Sequence, residues 1–412
     1  MSRKLAIVGN SGPKIRSDCQ IELEICATGG LKTELFSKVG VLYGESIREQ
    51  CISQLEFFGI SNAILRINDS GALPFVMAAR LEAAIKKIVQ TDLEFLPGMS
   101  DENMYPSRRD RFRFARLYVP GNTPSMMINA GLHSADGIIL DLEDSVAPEK
   151  KDEAVLLVRN ALRQISFNGA ERMVRINQGE RGMNDLEAVV PQNVHLILIP
   201  KCESVSSVTG VDDRIKEIKK RNGNANQVFL MPIIETALGV EMAFDIARST
   251  PSVVALAVGL EDLTADMGVV RTREGRETFY ARTRVVNAAR AAGIQAIDSV
   301  FSDVGDMDAL RQTVRESKAL GFEGMGCIHP RQVPVVKKGF APETAEIERS
   351  KKIVLAYEEA RLKGEGVVAL GTKMIDAPVV RRALRVIELS VKLGLLSDNW
   401  MELQEENKKQ TG

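Results

Sequence analysis

Two carboxylates set behind apolar runs are the first chemistry the chain offers. In residues 228–266, VFLMPIIETALGVEMAFDIARSTPSVVALAVGLEDLTAD, the run 229–234 ends in Glu235 and the run 253–258 leads to Glu261 and Asp262. Each run has strand length and the segment between them is patterned as a helix, which describes a βαβ unit of a buried parallel sheet. The strands of such a sheet end at one face, so Glu235 and Asp262 are expected side by side at that rim. Two carboxylates there suit a hard cation, with positions left for water and a substrate oxygen. The competing reading is that both acids only cap the helices that follow them.

Positioning such a pair takes a whole sheet. From Arg116 onward, strand-like runs lead into LYVPGN, IILDLEDS, MVRIN, LILIPKCES, LMPIIET, LAVGLED, IQAIDSV and GMGCIHPRQ, each followed by helix-compatible sequence. Eight strand–helix repeats predict an α/β fold of the (β/α)8 TIM-barrel type rather than an open doubly wound sheet. No GxGxxG follows any strand, which speaks against a dinucleotide site. Charged groups gather where the runs end: Asp141, Glu143 and Asp144, then Arg175, Lys201 and Glu203, then Glu235, Asp262, Asp298 and Asp303. In a barrel these ends converge on one mouth, and that sorting favours the metal site over helix capping.

Ahead of the barrel, residues 1–95 read as a small α+β unit. QIELEI at 20–25 alternates as a strand, 43–58 has helical periodicity, 62–67 is a second strand and 72–88 a second helix. The polar stretch 96–113 reads as a linker, 114–395 as the barrel with a C-terminal helical extension, and 396–412 as a charged tail, frayed from Glu402. A net charge of −1 over 412 residues argues against nucleic-acid or membrane-surface partners. Five cysteines without CxxC spacing, and the lack of any signal-like or membrane-length apolar segment, fit a cytoplasmic protein.

These motifs resemble the β-subunit of citrate lyase, within the HpcH/HpaI aldolase/citrate lyase family. The resemblance rests on LYVPGNTPSM, ADGIILDLEDSVAPEKK, VRINQGERGMNDLEAVV, ILIPKCES, IETALGV, VGLEDLTADMG, AARAAGIQAIDSVFSDV, GFEGMGCIHPRQV and GTKMIDAPVV, in order across the second domain. It implies that Glu235 and Asp262 hold Mg²⁺, that Arg175 contacts the substrate, and that Asp376 reaches into the site of a neighbouring subunit in a homo-oligomer. One departure is visible. The family opens this domain with Arg-Ser, whereas here the segment is RFRFARLYVPG, so that arginine contact is not assigned. Residues 1–95 resemble the citrate lyase acyl carrier, or γ-subunit, through DSGAL at 69–73 and ARLEAA at 79–84. That subunit carries a phosphoribosyl-dephospho-CoA arm on a serine. An ungapped match puts Arg16 at the carrier position and Ser17 one residue late, with Ser11 a weaker candidate; Ser17 is the expected attachment point.

The implied reaction is cleavage of a β-hydroxyacyl thioester, foremost citryl thioester to oxaloacetate and acetyl thioester, working with a separate acyl-transferase α-subunit. Arg175 offers a charged donor fork for a carboxylate or oxyanion, and Asp376 a proton at the enolate carbon. Two alternatives stand beside it: a lyase for a free CoA thioester such as malyl-CoA or citramalyl-CoA, and a non-catalytic carrier scaffold. The individual residues also have plainer readings. Arg175 is alternatively an ion-pair partner of Glu143 or Asp144, and Lys201 binds the phosphates of the carrier arm or the substrate carboxylate, or pairs with Glu203. Asp376 precedes Ala-Pro, where a turn aspartate is ordinary, and His329 reads as a turn residue. A charged linker at 96–113 would let the carrier domain swing.

Overall fold

The computed structural model describes residues 4–362, 368–370 and 373–402, which form two compact units divided between Val336 and Lys337. Most of the tail expected at 396–412, residues 403–412, lies outside the described residues.

The first unit begins with a four-stranded sheet in the order β1-β2-β4-β3, formed by β1 (Lys4–Gly9), β2 (Cys19–Ile25), β3 (Leu31–Ser37) and β4 (Ala63–Asp69). Helix α1 (Gly40–Phe57) makes the crossover that leaves β3 and β4 parallel. Helix α2 (Pro74–Ile88) covers the sheet, starting at a proline whose missing N–H costs nothing in a first turn. The periodicity locates β2, β4 and both helices but not β1 or β3. Both are edge strands, and β3 buries none of its residues fully, so it shows no clear apolar face.

Eight parallel strands follow: β5 (Ala115–Pro120), β6 (Gly137–Asp141), β7 (Glu171–Arg175), β8 (Leu196–Ile199), β9 (Phe229–Ile234), β10 (Ala255–Val258), β11 (Gln295–Ile297) and β12 (Met325–Cys327). They pair in sequence, β12 returns to β5, and a bridge from Asp298 to Met325 closes the ring. The expected barrel is present. Its interior is filled by Ile139, Met173, Leu198, Met231, Ile233 and Ile297. Around it lie α3 (Pro124–Met127), α4 (Lys151–Gln164), α5 (Gly179–Val189), α6 (Val205–Asn222), α7 (Ala237–Ala247), α8 (Leu260–Asp266), α9 (Phe279–Ala292) and α10 (Met307–Leu320), and α11 (Gln332–Phe340) carries the chain out of this unit.

The carrier-like sheet does not hang on a loose tether. Arg159 on α4 forms a two-pronged pair with Glu82 on α2 at 2.7 and 2.9 Å, both side chains fully buried. Arg80 on α2 joins Asp18 at 2.9 Å to barrel residues Asn122 at 2.6 Å and Glu153 at 3.4 Å. Gly9 donates its N–H to Glu153 and accepts from Lys150 through its carbonyl. It has φ +83°, and a Cβ there would stand 2.0 Å from the Cys19 carbonyl oxygen, so only glycine fits this contact. The polar stretch is likewise bonded along its length: Ser100 and Asn103 to the end of α4, Tyr105 to Ala170, and Arg113 to Glu171 at 2.7 Å. The expectation of a swinging linker is corrected by these bonds. Its polar side chains, read as a mark of solvent, are used to satisfy the barrel floor.

His195 belongs to that floor. Its Nδ1 accepts from the Arg172 N–H and its Nε2–H donates to the Tyr105 carbonyl, which suits the neutral ring. Burial, with Arg172 adding to it, pushes its pKa down to about 3. The unfolded chain therefore binds a proton there that the folded chain does not, and stability falls as pH drops from about 6.5 towards 3. The slope from this one group is roughly 1.4 kcal/mol per pH unit. Urea titrations between pH 6.5 and 4.5 should show this loss in the wild type and a shallower one in His195→Gln; equal slopes would remove His195 from the account.

The second unit holds α12 (Thr344–Leu362), a hairpin of β13 (Val368–Leu370) and β14 (Lys373–Ile375), and α13 (Ala377–Lys392). Ile353, Val354, Ile387 and Trp400 form its core, so the part of the expected tail that reaches Trp400 is packed.

Candidate active site

At the C-terminal ends of the barrel strands lies a cavity of about 430 Å³, lined by Arg116, Tyr118, Asp141, Arg175, Glu235 and Asp262 among others. Glu235 follows β9 directly and is 3% exposed. It does not cap α7: Thr236 does so, accepting from the Gly239 N–H. Instead Glu235 Oε1 accepts from the Lys201 N–H at 2.7 Å. Gly259, just past β10, makes room for its other oxygen, since a Cβ there would lie 2.4 Å from Glu235 Oε2. Burial pushes the Glu235 carboxyl up to about 7, with Asp262 and Glu143 adding to the rise. Asp262 is not at a strand end but in the first turn of α8, so the helix-terminus reading keeps part of its force there. Its side chain is 38% exposed and pairs with the Lys201 ammonium at 3.3 Å.

Lys201 therefore joins the two acids, through its backbone to one and its side chain to the other. It also lies 3.9 Å from Glu143; the pairing considered with Glu203 is not the one formed. Its φ of +44° is unusual for a side-chain-bearing residue, and such backbone is held in place by its surroundings at functional sites. Arg175, at the end of β7, is an ion-pair residue first. Asp141 takes it in two bonds of 2.6 and 2.7 Å, with Glu143 at 3.0 Å and Asp144 at 3.3 Å. Burial alone would raise the Asp141 carboxyl, but these bonds outweigh it and hold the group below its usual range. The dominant partner is thus Asp141, which the strand-end pattern marks without assigning a role.

The remaining candidates separate. Asp376 lies in the second unit, where its carboxylate caps α13 by accepting from the Val379 N–H at 3.1 Å. Ser17 is half-buried in the loop between β1 and β2, with φ +56°, beside the Asp18 that Arg80 holds. Burial pushes the Cys202 and Cys327 thiols up to about 12, which removes both as nucleophiles. His329 accepts from the Arg331 N–H within its turn, as expected. Arg116 was left unassigned, yet it lines the cavity. The signal available was a charged residue on the same strand face as Tyr118 and Pro120, inside an apolar run.

The donor set fits a magnesium ion. It is all oxygen, it includes a buried carboxylate whose charged form burial disfavours and a bound cation would favour, and Gly259 keeps its own backbone clear of that carboxylate. Among the described residues no cluster of three or more Asp, Glu, His or Cys side chains has ligand geometry. One or two carboxylates completed by water and substrate is the usual arrangement for Mg²⁺.

A sequence profile described as HpcH/HpaI aldolase/citrate lyase matches residues 115–330, and one described as malonate decarboxylase delta subunit, an acyl carrier protein, matches residues 6–88. The citrate lyase subunit beta of Leuconostoc mesenteroides subsp. cremoris is 38% identical over 68% of this chain and 94% of its own length. The mitochondrial citramalyl-CoA lyase of Mus musculus is 31% identical over 68% of this chain and 87% of its own. Among solved structures, the CitE protein of Mycobacterium tuberculosis in complex with magnesium, acetoacetate and coenzyme A superposes with a TM-score of 0.57. It is 28% identical and covers 69% of this chain and 99% of its own.

Proposed function

The chain belongs to the HpcH/HpaI aldolase/citrate lyase family and is a carbon–carbon lyase, and we propose that it cleaves citryl thioester to oxaloacetate and acetyl thioester. The observation that carries this reading is the buried Glu235 carboxylate, cradled by Gly259 and joined to Asp262 through Lys201. Glu235 and Asp262 would hold Mg²⁺, which when bound supplies a Lewis acid for the substrate hydroxyl and the ketone formed from it.

In this reading the chain's own groups do the rest. Asp141 and Glu143 fix the Arg175 guanidinium, which presents its remaining donor surface to a substrate carboxylate. The Lys201 ammonium balances Asp262 and would meet a second anionic oxygen. Breaking the bond between the acyl α-carbon and the hydroxyl-bearing carbon sends its electron pair to the α-carbon as an enolate. The hydroxyl proton leaves to a base, and Asp376 of a neighbouring copy returns one to the enolate carbon.

How the thioester arrives distinguishes two forms of this function. Carriage on a phosphoribosyl-dephospho-CoA arm at Ser17, with a partner α-subunit, is the first. Delivery as free CoA thioester, including malyl-CoA or citramalyl-CoA, is the second. The second is favoured by Arg16 at the carrier position and by the buried ion pairs that fasten the carrier-like sheet to α4. The non-catalytic scaffold has no observation in its favour.

The test is to offer the purified full-length chain citryl-CoA, citramalyl-CoA and malyl-CoA with Mg²⁺, and to weigh the protein isolated from its own host. Oxaloacetate release fastest from citryl-CoA by an unmodified chain is the expected result. An adduct on Ser17 would move the reaction onto the arm, and fastest cleavage of either other thioester would replace the citryl assignment.

A further inference from the structure

Arg116 is a buried cation whose partner is not supplied by the described residues. It lies on β5, is 1% exposed, and lines the cavity. Its neighbours in register, Gly137 on β6 and Gly326 on β12, bring no polar side chain to it, and the space a Cβ would take there is filled by Met173 and Val300. Its Nη1 meets the Met231 sulfur at 2.9 Å, a weak acceptor, and its buried Nε has no partner. Arg80, Arg113, Arg159 and Arg175 are each paired with a carboxylate, and the buried Arg172, away from the cavity, is held by the Asn193 and Tyr105 carbonyls and the His195 ring. A barrel interior does not hold an uncompensated charge without cost. The group is therefore kept for an anion that comes from outside the chain.

Its depth says which part of a ligand that would be. Pro120, Asp141 and Arg175 share one row of the sheet, at the mouth, and Arg116 pairs with Gly137 four residues below that row. Four residues of strand are roughly 13 Å, so the long Arg116 side chain reaches up beneath the mouth rather than lying in it. A ligand whose hydroxyl and adjacent carboxylate sit at Glu235 and Asp262 would point its far end down the barrel.

We propose that Arg116 binds a second, distal carboxylate of the ligand, and so selects a dicarboxylic oxo acid over a monocarboxylic one. The inference rests on the lyase reading above and names the specificity device of the same site. A bidentate bond to a desolvated arginine changes affinity by at least about 30-fold.

The experiment is calorimetric titration of the full-length protein, with Mg²⁺, by oxaloacetate and by pyruvate. The wild type should prefer oxaloacetate, and Arg116→Met should cut that preference at least about 30-fold. Arg116→Lys, which keeps the charge but loses the fork, should fall between them. If the methionine variant does not fold, the lysine variant alone decides, and an unchanged preference overturns the proposal. An equal loss for both acids would overturn it, as would a wild type that does not distinguish them. Binding needs no turnover: selection of oxaloacetate through Arg116 without cleavage of any thioester would fail the lyase reading alone, and cleavage with the preference untouched would fail this inference alone.

Discussion

Glu235→Gln should abolish Mg²⁺-dependent turnover while leaving the fold in place. The glutamine keeps an oxygen to accept from the Lys201 N–H, and its volume suits the space left by Gly259, so the local structure has no reason to move. What is lost is the charge. A Lewis acid contributes several kcal/mol to this class of reaction, so losing the ion costs on the order of 10³-fold in kcat or more. Stability should respond in the opposite direction. In the metal-free chain, burial pushes the Glu235 carboxyl up to about 7, so at pH 8 the fold carries an ionised group it disfavours. A neutral amide removes that burden, and metal-free Glu235→Gln should melt at or above the wild-type temperature. Mg²⁺ raises the melting temperature of any protein whose folded state binds it and should do so only for the wild type. Retained turnover, or an unchanged Mg²⁺-induced shift, would take the metal away from Glu235.

The barrel was legible because the apolar runs are continuous and numerous. A strand buried on both faces shows as an uninterrupted run, as in Phe229–Ile234, whereas β1 and β3, edge strands with exposed positions, give only a faint alternation. The site was legible at the level of which ends carry charge. It was not legible at the level of which charge meets which, because that depends on spacing between strands. Thus Arg175 takes Asp141 as its main partner, Lys201 takes Asp262, and Asp298, at the cavity wall, is held in a buried pair with Arg282. The fastening of the carrier-like sheet was invisible for a related reason. Arg80, Glu82, Glu153 and Arg159 look in the sequence like solvated helix faces and are fully buried in the fold, because each face supplies the other's counter-charge.

That fastening has the largest expected effect on stability. Arg159→Met should destabilise the first unit by about 3–5 kcal/mol, the cost of leaving a buried charge without its partner. Among the described residues the fully buried Glu82 would retain Lys86 at 3.2 Å and the Phe95 N–H at 3.1 Å, while Glu94 would lose its ion pair with Arg159. The double variant Arg159→Met, Glu82→Gln removes both charges and should recover much of the loss, and the coupling measured in a double-mutant cycle reads the pair directly. Urea unfolding gives the energies, and limited proteolysis between residues 89 and 113 reports whether the sheet still sits on α4. The wild type should resist cleavage there and the single variant should not. Wild-type cleavage as rapid as the variant's, with unchanged midpoints, would mean that the sheet leaves the barrel freely. The functional consequence follows from the same energies. A carrier that travels between enzymes must undock in each cycle, and here undocking would separate Arg159 from Glu82 and Arg80 from Glu153. With those pairs closed, an arm on Ser17 would serve its own barrel, and a chain without the arm would use the sheet as a fixed wall beside the mouth.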